Sequence, residues 1–174
     1  MSQLNQQRLN STWQQYLFRL AQQYSHIAQE VVGDNLVSVV LFGSIARGEA
    51  HAGSDIDLLI VCRQLPHGIF LRQAVVEPVR RQLQTELDHL WQQGYSIDFT
   101  EHLKNKEEAA QTRLLYLDMT EDAVILFDRD TFFANILERL RTHLQQTGAQ
   151  RRKLGTIRYW DLKPDFKPGE VVTL

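Results

Sequence analysis

The fold of this chain is decided by residues 41–61, which read Leu-Phe-Gly-Ser-Ile-Ala-Arg-Gly-Glu-Ala-His-Ala-Gly-Ser-Asp-Ile-Asp-Leu-Leu-Ile-Val. Residues 36–42 are apolar and rich in β-branched side chains, which is typical of a buried strand. Gly43 and Ser44 end that strand, and residues 45–49 are predicted to make one helical turn. After a loop, residues 55–61 are predicted to form a second strand that begins with two acids.

Asp55 and Asp57 lie two positions apart on this second strand, so their side chains point to the same side of the sheet. Two neighbouring carboxylates repel each other, and each makes ionisation of the other more costly. A sheet gains nothing from this arrangement unless a cation lies between them. Mg²⁺ favours carboxylate oxygens and shares its coordination shell with substrate phosphates, so the pair predicts a magnesium site.

Gly43 and Ser44 are predicted to form a phosphate-binding site that complements the magnesium site. A glycine where a strand turns into a helix lets the backbone approach a ligand closely. The amides of the following turn and the Ser44 hydroxyl can then donate to phosphate oxygens. If the two strands are neighbours, the phosphate site and the metal site face each other. This arrangement suits phosphoryl or nucleotidyl transfer, in which catalysis consists mainly of positioning and charge neutralisation.

A third acid is expected from another strand. Residues 95–100 alternate apolar and polar side chains and are predicted to form a third strand, with Asp98 on its polar side. Glu101, at the end of that strand, is the second candidate. A third carboxylate would let two metal ions bind, one activating the attacking oxygen and one holding the triphosphate. The sequence therefore predicts a catalytic, metal-binding set of Asp55, Asp57 and Asp98.

The rest of the chain alternates helices with strands and predicts an α/β (α+β) fold, a small mixed sheet flanked by helices. We expect one domain over residues 1–150 and an irregular, extended C-terminal arm over residues 151–174. The domain would comprise an N-terminal helix (1–32), a catalytic core (36–127) and a C-terminal helix (131–148). Within the core, further helices are expected at 70–93, interrupted near Pro78, and at 104–117, and a short strand at 124–127.

Composition limits the classes of protein to which the chain can belong. At 174 residues it is long enough for one domain with a real core. Its formal net charge of −2 argues against a nucleic-acid-binding surface over the whole molecule, so no direct nucleic-acid partner is expected. Cys62 is the single cysteine, which excludes an internal disulfide. We find no signal-peptide pattern and no membrane-spanning stretch, so the sequence predicts a cytoplasmic protein without a membrane partner.

Gly43-Ser44, ten intervening residues and Asp55-x-Asp57 together resemble the signature of the DNA polymerase beta-like nucleotidyltransferase superfamily. The sequence Gly-Ser-Ile-Ala-Arg-Gly…Ser-Asp-Ile-Asp-Leu is similar to the minimal nucleotidyltransferases in particular, with a match over residues 36–100. The resemblance implies the polymerase beta-like nucleotidyltransferase fold and ATP as the substrate. It also implies that the Gly-Ser pair holds the triphosphate, that the two aspartates bind Mg²⁺ and that a third strand acid completes the site.

Arg47 and Ser54 are the remaining candidates for nucleotide binding. The resemblance suggests that Arg47 reaches the triphosphate, and the alternative is a surface ion pair with Glu49. Ser54 could contact a phosphate or could cap the start of the second strand.

Minimal nucleotidyltransferases of this kind often occur beside a helical protein of the HEPN class as a toxin–antitoxin pair. The resemblance therefore implies an antitoxin that transfers AMP to a tyrosine of a HEPN-type toxin. A rival within the enzyme class is transfer to an aminoglycoside or another small molecule. A rival from a different class is a catalytically silent antitoxin that acts by binding alone. The base preference of the nucleotide and a homo-oligomeric state are left open by the sequence.

Overall fold

The computed structural model describes residues 3–155 and 157–164. Its helices are α1 (Gln3–Val32), α2 (Gly43–Ala46), α3 (Ile69–Gln92), α4 (Lys106–Ala110), α5 (Leu114–Asp122) and α6 (Phe132–Thr147). Its strands are β1 (Leu36–Phe42), β2 (Ile56–Cys62), β3 (Phe99–Asn105), β4 (Val124–Asp128), β5 (Gln150–Leu154) and β6 (Ile157–Asp161). Short 3₁₀ turns at Gly33–Asn35 and Arg129–Thr131 lead into β1 and α6. Within these residues, no helix is long and apolar enough to cross a lipid bilayer.

A four-stranded sheet in the order β3-β2-β1-β4 forms the centre of the fold. β1 pairs antiparallel with both β2 and β4, whereas β2 and β3 run parallel. As a result, β1 ends at the edge of the sheet where β2, β3 and β4 begin. The predicted fold class, a small mixed sheet flanked by helices, is confirmed.

The two faces of the sheet bury separate apolar cores, because successive side chains of a strand point to opposite sides. One core lies between the sheet and helices α1 and α3 and includes Ile56 and Leu58 of β2. The other lies between the sheet and helices α5 and α6 and includes Leu59 and Val61. By the same alternation, Asp57 projects towards the α5–α6 face. The buried side chains thus fix the direction in which this acid points.

The third strand begins later in the chain than the sequence predicts. Residues 95–98 have no regular structure, and the pairing of β3 with β2 starts where Phe99 lies opposite Ile56. β3 is an edge strand, where polar side chains are tolerated. Its sequence is mostly polar, so the alternation of apolar residues that predicts a strand is missing. The predicted strand at 95–100 is therefore wrong in its bounds, and Asp98 precedes β3.

The helical predictions also need correction. The helix predicted over residues 104–117 is two helices, α4 and α5, separated by residues 111–113. α3 continues through Pro78 without the predicted interruption. Val76 and Val79 on either side of this proline are fully buried, and their packing outweighs the missing backbone hydrogen bond.

The predicted C-terminal arm begins as an antiparallel hairpin of β5 and β6. The Trp160 side chain packs against the α5–α6 core, and its indole N–H donates to Asp118 of α5 at 3.0 Å. Arg151 pairs with Asp122, also of α5, at 2.5 Å. The hairpin is therefore attached to α5. Residues 165–174, the remainder of the predicted arm, lie outside the described residues.

An ion pair fastens α3 to the start of α4. Arg72 donates two hydrogen bonds to Glu108, each of 2.8 Å. Glu108 also accepts from the amide of Asn105, whose side chain caps the helix by accepting from the Glu108 amide. The Arg72 guanidinium is the main reason that the pKa of Glu108 is lowered to about 2. The Arg72 and Glu108 side chains are only 19% and 30% exposed, so this pair contributes more than a fully solvated one.

Replacing this acid should reduce stability in a pH-dependent way. Glu108→Gln is expected to lower the free energy of unfolding by about 1–2 kcal/mol at neutral pH, because it removes charge-assisted hydrogen bonds. The folded-state pKa of Glu108 is depressed, so its stabilisation is present at neutral pH and is lost as the pH falls from about 4.5 to about 2. Urea denaturation across this range measures the effect. Glu107→Gln is the matched control, and a wild-type-to-variant difference that does not shrink at low pH would contradict the assignment.

Candidate active site

The pairing of β1 with β2 places the backbone of Gly43 against the side chain of Asp57. Phe42, the last residue of β1, lies opposite Asp57. Gly43 follows with a φ of +76°, and a Cβ at this position would lie 2.1 Å from Oδ2 of Asp57. No other residue fits here without displacing the carboxylate, and the left-handed backbone also favours glycine. The Gly43 turn and the Asp57 carboxylate are therefore in immediate contact.

The Asp57 carboxylate is half-buried, and none of the described residues donates a hydrogen bond to it. Burial raises the pKa of Asp57, and the nearby charge of Asp55 raises it further, whereas His102 and Arg47 lower it. Asp55 is exposed and immediately precedes β2. A cation between the two aspartates would compensate both the lost hydration of Asp57 and its repulsion by Asp55.

Asp98 lies at the same edge of the sheet, but its carboxylate is held by Arg80 of α3. Arg80 donates to Oδ1 of Asp98 at 2.6 Å and to Oε2 of Glu101 at 2.7 Å. The backbone of Asp98 joins it to the acid pair, because its amide donates to Oδ1 of Asp55 at 3.3 Å and its carbonyl accepts from Ile56 at 2.9 Å. Asp98 is thus a neighbour of Asp55 with an arginine on its carboxylate.

Glu101, the second candidate, is a buried member of this arginine-centred network. Its side chain is 2% exposed, and the Tyr24 hydroxyl donates to it at 3.2 Å. Burial raises the pKa of Glu101, although Arg80 and Tyr24 act in the opposite direction. Sequence reasoning missed Arg80, because no motif marks it among the other polar residues of α3.

The acids where β2 and β3 begin are partly suited to binding a divalent cation. Across the described ranges, no set of three or more His, Cys, Asp or Glu side chains is arranged to hold a metal ion. Asp55 and Asp57 do offer the donor set that suits Mg²⁺, which commonly takes one or two carboxylates and completes its shell with substrate phosphates and water. Arg80 and the Phe99 amide both donate to Oδ1 of Asp98, so Oδ2 is the oxygen that could join such a site, and the role of Asp98 as a metal ligand stays a prediction.

The three side chains expected on the nucleotide differ in what they already contact. The Ser44 hydroxyl forms no hydrogen bond with the described residues, and the side chain is half-buried. Ser54 is 4% exposed, and its Oγ accepts from the amide of His51 at 2.9 Å, which stabilises the loop before β2. Arg47 pairs with Glu49 at 3.0 Å. The structure thus gives Ser54 and Arg47 local partners, and contact of all three with nucleotide stays a prediction.

A cavity of about 160 Å³ opens beside the Gly43 turn. Arg47 lines it from one side, and Asp118 of α5 lines it from the other. The hairpin reaches both walls, since Arg151 pairs with Asp118 at 3.4 Å and Arg158 donates to Glu49, the partner of Arg47, at 2.8 Å. These contacts were not predicted. The signal in the sequence is the four-residue spacing of Asp118 and Asp122 in α5, which indicates one helical face.

The chain is similar in sequence to one family of domains and to a named relative, and in fold to solved toxin–antitoxin complexes. Residues 25–119 match the family model described as a nucleotidyltransferase domain. A Methanocaldococcus jannaschii protein named "Putative protein adenylyltransferase" is 28% identical over 140 residues, which cover 79% of this chain and 84% of the relative. A crystal structure of a toxin–antitoxin with AMP-PNP aligns with a TM-score of 0.44 at 15% identity, over 73% of this chain and 92% of the other. A tri-AMPylated Shewanella oneidensis HEPN toxin in complex with MNT antitoxin gives a TM-score of 0.40 at 13% identity, over 75% and 92%. Nothing about function follows from structural similarity this loose.

Removing the half-buried carboxylate should have opposite effects with and without a divalent cation. Without one, Asp57→Asn is expected to raise the melting temperature, because a poorly solvated charge beside a like charge is lost. With MgCl₂, the wild type is expected to gain stability by mass action and the variant to gain less.

Thermal unfolding in EDTA and in MgCl₂ measures both effects. Asp88→Asn, an acid on α3 whose described hydrogen bond is to Gln84, is the control and should change neither value. A large loss of stability for Asp57→Asn in EDTA would contradict this view and mark the acid as structural.

Proposed function

The chain belongs to the nucleotidyltransferase domain family, and we propose that it transfers AMP from ATP to a hydroxyl group of a partner protein. Mg²⁺ bound by Asp55 and Asp57 would neutralise part of the triphosphate charge. The observation that carries the proposal is the contact between the Gly43 turn and the Asp57 carboxylate. This contact brings a backbone suited to phosphate binding next to a carboxylate suited to the metal.

In the proposed reaction, the residues of this chain position the substrate and move one proton. The turn amides after Gly43 and the free Ser44 hydroxyl donate to phosphate oxygens. The acceptor oxygen attacks the α-phosphorus, the bond to the β-phosphate oxygen breaks, and pyrophosphate leaves. Asp98 accepts the proton of the acceptor hydroxyl as general base on Oδ2, while Arg80 holds Oδ1. Binding of a second metal ion by Asp98 belongs to the same proposal.

A protein acceptor is favoured by the relative named "Putative protein adenylyltransferase" and by the small size of the cavity at the site. The cavity beside the Gly43 turn, at about 160 Å³, is below the roughly 300 Å³ of most sites for drug-sized molecules. Ile69, Phe70 and Leu71, at the start of α3, are 61–87% exposed, and they lie towards the end of the sheet opposite the acids. Exposed apolar side chains of this kind are available for contact with a partner protein away from the site itself. A tyrosine of a HEPN-type toxin is the specific acceptor that we propose.

Labelled nucleotide separates this proposal from its alternatives. Pure protein is incubated with MgCl₂, the product of the adjacent gene as acceptor, and ATP labelled at either the α- or the γ-phosphate. We expect label on the partner from the α-position alone, and none with Asp57→Asn although the complex still forms. Label from the γ-position would mean kinase chemistry. Tight complex formation without transfer would support the silent antitoxin, and transfer only to an aminoglycoside would support the small-molecule enzyme.

Two glycines allow a matched test of the site geometry. Gly43→Ala and Gly48→Ala both place alanine on a left-handed backbone, with φ of +76° and +73°, and this backbone strain alone should cost each variant about 1–2 kcal/mol of stability. Only at position 43 does the new Cβ collide with Asp57, whereas at position 48 nothing lies within 4 Å. Transfer should therefore fall about 100-fold or more in Gly43→Ala alone.

Initial rates of transfer, compared at temperatures where both variants are folded, check this expectation. Equal losses of rate in the two variants would show that backbone strain, rather than contact with Asp57, limits activity.

A further inference from the structure

A group of cations lies where β2, β3 and β4 end, at the opposite end of the strands from Asp55 and Asp57. β2, β3 and β4 all end there, level with the start of β1: Leu36 pairs with Cys62, Cys62 with Asn105, and Ser38 with Asp128. The residue that follows each of these strand ends is a cation, namely Arg63, Lys106 and Arg129. The topology therefore brings together three cations that are distant in the sequence.

Helix α6 adds a fourth cation and an aromatic wall. Phe132, Asn135 and Arg139 are spaced by three and four residues, so they share one helical face. The opposite face of α6 buries Leu137 and Leu144 in the core. Cations from the sheet edge and from α6 together line a cavity of about 350 Å³, which we call the basic cavity. This volume lies within the range of small-molecule sites.

The charges in the basic cavity are poorly compensated. Four cations line it against one acid, Asp130, although the chain as a whole has a net charge of −2. Among the described residues, Arg63, Lys106 and Arg139 form no ion pair with a carboxylate. Arg129 reaches only the fully exposed Asp34, at 3.7 Å. Cations gathered in this way repel one another, and a bound anion would remove that repulsion.

The side chains in the cavity are suited to phosphate. The Nε–H groups of Arg63 and Arg129 donate to backbone carbonyls at 2.8 and 3.2 Å, which orients both guanidinium groups. An oriented guanidinium can bind a phosphate through two parallel hydrogen bonds. The ammonium of Lys106 lies 4.9 Å from the centre of the Phe132 ring, so the cavity also has an aromatic surface.

We propose that the basic cavity binds a small anion that carries two or more phosphates, either pyrophosphate or a nucleoside polyphosphate. The cations line one concave cavity rather than a stripe along the surface, which favours a small ligand over a nucleic-acid strand. The site is separate from Asp55 and Asp57, because it lies at the other end of the same strands. Anion binding in the basic cavity is therefore independent of the proposed nucleotidyl transfer.

Calorimetric titration of the full chain with sodium pyrophosphate in EDTA tests the proposal. The acidic edge of the sheet is the end of the strands at which Asp55, Asp57 and Asp98 lie. Without a divalent cation these carboxylates repel pyrophosphate, so binding reports on the basic cavity. We expect the wild type to bind, and Arg139→Gln and Arg129→Gln each to weaken binding about tenfold to a hundredfold. Arg139 is exposed, so its replacement should leave the fold intact, which circular dichroism checks.

A control variant and two further probes complete the test. Arg81→Gln, on the surface of α3, should bind pyrophosphate as the wild type does. ATP in EDTA distinguishes the two ligands, because tighter binding of ATP would identify a nucleoside polyphosphate. Absence of binding, or binding that is unchanged in both cavity variants, would overturn the proposal. Tighter binding of a single-stranded RNA oligonucleotide, lost in the same variants, would overturn it in favour of a nucleic-acid surface.

Discussion

Phe42 of β1 faces Asp57 of β2 across two antiparallel strands, and the geometry of the acidic edge depends on that register. A slip of one residue would turn Asp57 towards the apolar α1–α3 core, where its carboxylate would lose its remaining hydration. Leu41 and Leu58, paired one step further in, are fully buried and resist such a slip. Apolar packing beneath the sheet therefore determines the position of a charged group at its edge.

The sheet also separates charge along the strand direction. Asp55 and Asp98 lie before the strands β2 and β3, whereas Arg63 and Lys106 follow the ends of the same two strands. A net charge of −2 conceals this separation, because acids and bases nearly cancel over the whole chain. The two ends of the sheet present fields of opposite sign, so cations and anions are drawn to different parts of one small protein.

The sequence predicts those parts of the acidic edge whose geometry depends on residues that are close together in the chain. The Gly43 turn follows directly from a strand, and the two-residue spacing of Asp55 and Asp57 gives them one side of the next strand. Arg80 and the true start of β3 could not be predicted in this way. Arg80 meets Asp98 through the packing of α3 against the sheet, and β3 is defined by its parallel pairing with β2 rather than by its own pattern.

The ion pair between Arg158 and Glu49 joins residues that are 109 positions apart. Glu49 also holds Arg47, so the loop after the Gly43 turn depends on a strand that is made late in synthesis. During synthesis, all four strands of the central sheet are made before β6. Until β6 is made, the loop that carries Arg47 and Glu49 lacks its ion pair with Arg158. Since loop closure costs more entropy as the loop lengthens, we expect this ion pair to form later in folding than the contacts within the four-stranded sheet.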